Sequence, residues 1–295
     1  MLRTRRDFLK YTAIAGTGFI LLPAASCMGN RKKASFLQKI GVCTGYVNNR
    51  ILEEAGYSYI EESVQNFLVP LDDEAIFNEK LAKFKESHLL IPACNSFIPG
   101  KLKSTGPDAQ HEEIIRYAET AFRRAQITGI SIIVFGSSGS RNVPDGFPLQ
   151  EGLDQFISLC SKLAPLAQKY HVTIALEPLN KAESNIINSV AEGAEIVKTV
   201  NHKSFRLLAD IFHMRRENES PDNIIRNGDL IRHVHIAENA GREAPGVNKE
   251  DFTPFFRALK EIDYKGLLSI ECSWKDISLQ AGPALAELRR QIDMV

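Results

Sequence analysis

Four polar residues in the second half of the chain close short apolar runs, and all four are types that hold a divalent cation. Glu177 closes VTIALE, Asp210 closes FRLLAD, His235 lies in IRHVHIA and Glu271 closes LLSIE. Taken singly, each carboxylate reads as a loop hydrogen-bonder or helix cap, and one strand histidine reads as core. Gathered together, three carboxylates would repel one another and resist ionisation unless a cation neutralised them. Oxygen-rich ligation with one imidazole and no cysteine suits Mn²⁺, with Mg²⁺ or Co²⁺ as alternatives, better than a structural zinc. An ion held this way makes an acid–base site.

The elements that must position these residues follow from periodicity. Candidate strands fall at 39–44, 57–63, 89–95, 131–136, 172–177, 205–210, 231–237 and 267–271. Amphipathic stretches lie between them at 72–87, 109–127, 151–170, 189–200 and 251–262, with a last one at 279–293. Eight strands alternating with helices, without a break in composition, predict a closed (β/α)8 TIM barrel as a single domain over 38–295. Strand parity then tests the four residues, because side chains alternate between faces. If Glu177, Asp210, His235 and Glu271 point inward, then Leu176, Ala209, Val234 and Ile270 face the helices. The polar ends therefore meet at the C-terminal mouth, where barrels of this kind place their active sites. His233 shares the face of His235 and either orients the site or packs the core.

Composition is that of a globular protein, with 44% hydrophobic and 24% charged residues among 295. The N-terminus departs from it. TRRDFLK followed by a short apolar run predicts a twin-arginine export signal over 1–26, a basic arm or uncleaved anchor being the alternatives. The run is shorter than the ~20 residues that span a bilayer, so no transmembrane domain is expected. LPAASC points to lipid attachment at Cys27, although Ala24 stands where Leu is usual, and 27–37 reads as a linker. The mature protein would be periplasmic or tethered by lipid. Without residues 1–26 it carries 32 basic and 35 acidic residues, a balance that argues against nucleic-acid partners. Cys43, Cys94, Cys160 and Cys272 show no CxxC spacing and read as buried thiols.

The segments EPLNKAE (177–183), DIFHM (210–214), HVHIAENAGREAPG (233–246) and SIEC (269–272) resemble the xylose isomerase-like barrels. Within these, they are most similar to the ketose 3-epimerases of the tagatose and psicose type. FGSSGSRNVPDGF (135–147) also resembles that family's loop after the fourth strand. The resemblance implies that Glu177, Asp210, His235 and Glu271 ligate the metal, with Glu177 and Glu271 as the catalytic pair. It implies that Glu183, His213 and Arg242 hydrogen-bond the oxygens of a small-molecule sugar. The expected reaction is epimerisation or isomerisation through an enediolate. Without the resemblance, Glu183 and Arg242 would read as a surface ion pair.

Three alternatives remain at this stage. An exported protein could use the same site on 3-keto-glycosides, as a lyase or hydrolase, or it could be a non-catalytic sugar-binding lipoprotein. The apurinic endonuclease branch of the fold needs extra histidines on strands 2 and 3, where this chain has Glu61 and Asn95. A homo-oligomeric state stays open.

Overall fold

β-Branched and aromatic runs of four to six residues form eight parallel strands in the computed structural model, which describes residues 36–295. They are β1 (Ile40–Cys43), β2 (Tyr59–Ser63), β3 (Leu90–Asn95), β4 (Ile132–Phe135), β5 (Thr173–Leu176), β6 (Phe205–Asp210), β7 (Ile231–Ile236) and β8 (Leu267–Ile270). Each pairs with the next, and β1 pairs with β8 through Gly41↔Ser269, so the ring is closed. The (β/α)8 barrel is therefore as expected.

The main covering helices are α2 (Glu74–Phe84), α3 (His111–Thr128), α5 (Leu149–Lys169), α6 (Val190–Val200), α9 (Thr253–Glu261) and α10 (Ile277–Ile292). Their starts follow local chemistry: the Asp73, Ser189 and Asp276 side chains accept amide hydrogen bonds from the first turns of α2, α6 and α10. In α3 the buried Ile114, Tyr117, Ala118, Ala121, Phe122 and Ala125 recur at helical spacing and face the sheet.

Four short helices escaped the periodic reading: α1 (Asn49–Ala55), α4 (Ser138–Arg141), α7 (Ile211–Arg216) and α8 (Asp222–Arg226). At four to seven residues each is too short for an apolar period to show. A π-turn at Val64–Leu68 follows β2 and buries Val64, Phe67 and Leu68. Leu37, expected at the end of the linker, is buried in the core. The expected export signal (1–26), Cys27 and the remainder of the linker to 35 lie outside the described residues. Among the described residues, no helix is long and apolar enough to cross a membrane.

Two apolar layers result. The larger lies between strands and helices and takes the outward residues Ile174, Leu176, Leu207, Ala209, Val234, Ile236, Leu268 and Ile270. The smaller plugs the barrel with Ala93, Ile132, Val134, Ala175 and Leu208. This is the parity the sequence predicts. Inside the ring, Gly41 makes room for the Tyr59 ring, which a β-carbon there would strike. The Tyr59 hydroxyl reaches Ser269 Oγ at 2.9 Å.

Candidate active site

The last residues of β5 to β8, or those just beyond, converge at the C-terminal mouth. Glu177, Asp210, His235 and Glu271 each offer one ligand atom, and these atoms lie within 4.8 Å of one another. His235 Nδ1 is 3.0 Å from Glu177 Oε1 and 3.4 Å from Glu271 Oε2. Asp210 caps α7: its Oδ1 accepts from the Phe212 and His213 amides at 2.7 and 3.3 Å. That bond aims Oδ2 into the cluster, buried and without a hydrogen-bond partner. A buried carboxylate oxygen left unsatisfied beside two glutamates and an imidazole fits a divalent cation with one nitrogen and three oxygen donors.

Beneath His235 lies a second polar layer. Its Nε2 is 3.0 Å from Glu61 Oε1, while Glu61 Oε2 is 2.7 Å from His233 Nε2 and 2.5 Å from Ser269 Oγ. Glu61, His233, His235 and Ser269 are all fully buried. The carboxylate holds the proton on the Nε2 side of His235 and leaves Nδ1 facing the cluster, an arrangement that fixes the tautomer of a metal-binding imidazole. Glu61, His233 and His235 could themselves be taken for a metal triad, but the first two are consumed by hydrogen bonds to each other and to Ser269. His233 thus resolves as a support to the site through Glu61. Glu61 itself was missed as a functional residue, because its partners lie more than 170 positions away.

The charges are unevenly held. Burial alone would raise the Glu61 pKa, but His235 and His233 outweigh it and keep the carboxyl well below its usual range. Burial would lower His235, yet Glu61, with Cys43 and Glu271, raises it well above the ordinary imidazole value. Burial, then the Glu271 charge, pushes Glu177 up, against the hydrogen bond from His235. For Glu271, burial is outweighed by His235 and then Arg242, which bring it down to about 2.

The three expected sugar-binding residues surround this cluster. Asn180 donates to His213 Nδ1 from its backbone at 3.2 Å and its side chain at 2.8 Å. The His213 proton therefore sits on Nε2, which is buried, free of a hydrogen-bond partner and 3.5 Å from Asp210 Oδ2. Arg242 pairs closely with Glu271, lies 3.6 Å from Glu183 and 3.8 Å from Asp210, and stacks at 4.6 Å over the Phe212 ring. Glu183 also accepts from Asn180 Nδ2 at 2.9 Å. The ion pair between Arg242 and Glu183 thus exists, inside the mouth and not on the outer surface.

Arg242 stands in a loop held by two carboxylates. Glu238, fully buried, accepts from the amides of Gly246 at 2.8 Å, Asn248 at 2.5 Å and Glu250 at 3.3 Å. Glu250 in turn accepts from the amides of Asn239 at 2.8 Å and Ala240 at 3.0 Å.

A cavity of about 300 Å³ opens above the cluster and includes Glu177, Glu183, His213, Arg242 and Glu271. Asn95, at the end of β3, reaches in and donates to Glu271 Oε1 at 2.9 Å. The rest of its lining is Gln65, Ser96, Ser137 and Ser138 with glycines between, and the apolar Ile98 and Leu179. Cys94 and Cys160 are buried as expected, but Cys43, the last residue of β1, and Cys272, two residues beyond β8, are half-buried; all four are free. Cys43 Sγ is 3.9 Å from His235 Nε2, a neighbour that the sequence reading left out of the site.

Comparison with known proteins finds the same fold. A family model described as xylose isomerase-like TIM barrel matches residues 50–294. The L-ribulose 3-epimerase of Methylomonas sp. (strain DH-1) is 29% identical over 224 residues, covering 74% of this chain and 74% of that protein. The structure of D-psicose 3-epimerase with D-tagatose from Clostridium cellulolyticum H10 matches with a TM-score of 0.74 at 19% identity, over 86% of this chain and 99% of that one. The 3-keto-D-glucoside 4-epimerase of E. coli matches with a TM-score of 0.73 at 21% identity, over 86% and 99%.

Proposed function

The chain belongs to the xylose isomerase-like TIM barrel family, and on that premise we propose that it is a metal-dependent sugar epimerase or isomerase. In this reading Glu177, Asp210, His235 and Glu271 hold one divalent cation, Mn²⁺ before Mg²⁺ or Co²⁺. Such a cation would polarise adjacent oxygens of an α-hydroxyketone and so acidify the C–H bond between them.

The observation that carries the reading is the pair of glutamates. Glu177 and Glu271 approach His235 Nδ1 from different strands, at 3.0 and 3.4 Å. Two carboxylates that reach one centre from different sides can divide the work of acid and base. One takes the proton from carbon, and the other returns one on the opposite face. The enediolate between these steps carries negative charge on oxygen, where the His213 Nε2–H and Arg242 donate. Glu183 fixes the sugar by accepting from a hydroxyl.

The test is deuterium exchange at carbon in D₂O over a panel of ketoses, with and without chelator. Metal-dependent exchange is expected, and Glu271→Gln should lower it at least ~100-fold. A panel with no metal-dependent exchange would sink the reading.

A 3-keto-glycoside is the second substrate class, favoured by the serines and glycines at 96, 100 and 136–139, which leave space for a ring substituent along that side of the cavity. Released aglycone would mark elimination, and an intact stereoisomer would mark epimerisation. The expected export over residues 1–26 and lipid attachment at Cys27 belong to this second reading, since a periplasmic enzyme meets glycosides before free ketoses.

A further inference from the structure

The segment Gly136–Arg141 runs between β4 and α5. It begins directly behind Glu177. A β-carbon on Gly136 would collide with Glu177 Oε2 and come within 3.3 Å of its Cδ. Gly136 is not among the glycines with positive φ, so its backbone suits any residue and the glycine answers a need for space.

Arg141 closes the same segment. Its side chain is fully buried, and no carboxylate among the described residues lies within ion-pair distance of it. Nη1 donates to the Glu177 carbonyl at 2.8 Å and to the Phe135 carbonyl at 3.4 Å, Nε reaches Ser184 Oγ at 3.4 Å, and Nη2 has no partner. The Glu177 amide also donates to the Phe135 carbonyl at 3.2 Å, the last rung between β4 and β5. Burial disfavours the charged guanidinium, and the leading charge that offsets it is that of Glu177, so the arginine is tied to that residue through both its carbonyl and its charge.

The segment cannot drift. Ser137 Oγ accepts from the Ile98 amide at 3.0 Å, the Ser140 carbonyl from the Ser104 amide at 3.0 Å, and the Arg141 carbonyl from Thr105 Oγ1 at 3.2 Å. The loop after β3 therefore braces the loop after β4.

We propose that Gly136 and Arg141 are positioning residues for Glu177: the glycine leaves space for its carboxylate, and the guanidinium fixes the backbone from which it projects. The proposal rests on the reading of Glu177 as metal ligand and acid–base group. Supporting shells of this kind hold reacting groups to fractions of an ångström.

The test uses the full chain with Gly136→Ala and, separately, Arg141→Lys, which keeps the charge and loses the fork. Mn²⁺ binding is measured by calorimetry, exchange of a ketose C–H at saturating metal and substrate by NMR, and unfolding by circular dichroism in chelator. The atom that alanine would meet is the end of a flexible side chain, so Gly136→Ala should unfold at the wild-type temperature. It should nevertheless bind Mn²⁺ at least ~10-fold more weakly and lose exchange rate at saturation. Arg141→Lys should move both readouts in the same direction. A folded Gly136→Ala protein with wild-type Mn²⁺ affinity and exchange rate overturns the proposal. So does loss of cooperative unfolding in Gly136→Ala, which would make the glycine structural. If the wild type takes up no Mn²⁺, the reading of the metal site fails, independently of what either variant does.

Discussion

Glu61 shows how far a single residue can matter without touching a substrate. Its carboxylate joins His235, His233 and Ser269 in one buried layer. Glu61→Gln removes the charge that holds the proton on Nε2 of His235 and turns one of the two acceptor oxygens into a donor, and Mn²⁺ affinity should fall about 10–100-fold by calorimetry; unchanged affinity would reduce Glu61 to packing. The proton on His235 carries a second expectation. That imidazole is raised well above its usual value, with Glu61 the strongest of the raising charges. Below its pKa a cation must displace a proton, so Mn²⁺ binding should tighten as pH rises, by about tenfold per unit for one proton released, and level off above it. An isotherm series flat in pH would show that no such proton is displaced. The four clustered residues were legible because each stands at a strand end with the right parity. Glu61 was visible only as something other than histidine, since neither its spacing nor its apolar setting announces the two imidazoles it meets.

At the scale of elements, loops set what the strands leave open. Strand positions were readable to within one or two residues because the alternation of faces is a strong local signal, whereas α4, α7 and α8 are too short to leave a period. The loop after β7 is a case where sequence gives the residue and not its support. Arg242 has φ of 51°, a left-handed backbone that a non-glycine residue adopts only when its surroundings impose it. The hydrogen bonds that Glu238 and Glu250 accept are what impose it here. Glu238→Gln loses charge-assisted bonds to backbone amides, so the loop should loosen and Arg242 should meet the sugar less well. The expected outcome is a rise in KM for the ketose of about tenfold, with Mn²⁺ affinity kept, since the four ligands lie outside the loop. Weakened metal binding with unchanged KM would contradict it.

For the whole molecule, the cluster at the mouth couples stability to the cation. The site draws one ligand from the end of each of four neighbouring strands, so it exists only in the folded ring. A cation that binds this ring and not the unfolded chain stabilises it by about 2.7 kcal/mol at a hundredfold excess over Kd. Unfolding followed by circular dichroism should therefore shift upward with Mn²⁺ and fall back on chelation, and Asp210→Asn should shrink the shift. A midpoint indifferent to metal would mean that the ring does not hold it.

One feature of the ring bears on how the protein is made. β8 both closes the barrel against β1 and brings Glu271 to the cluster. A chain emerging from the ribosome thus displays Glu177, Asp210 and His235 before it owns either the fourth donor or a sealed interior. If the cluster holds a cation as proposed, only the finished chain can choose it.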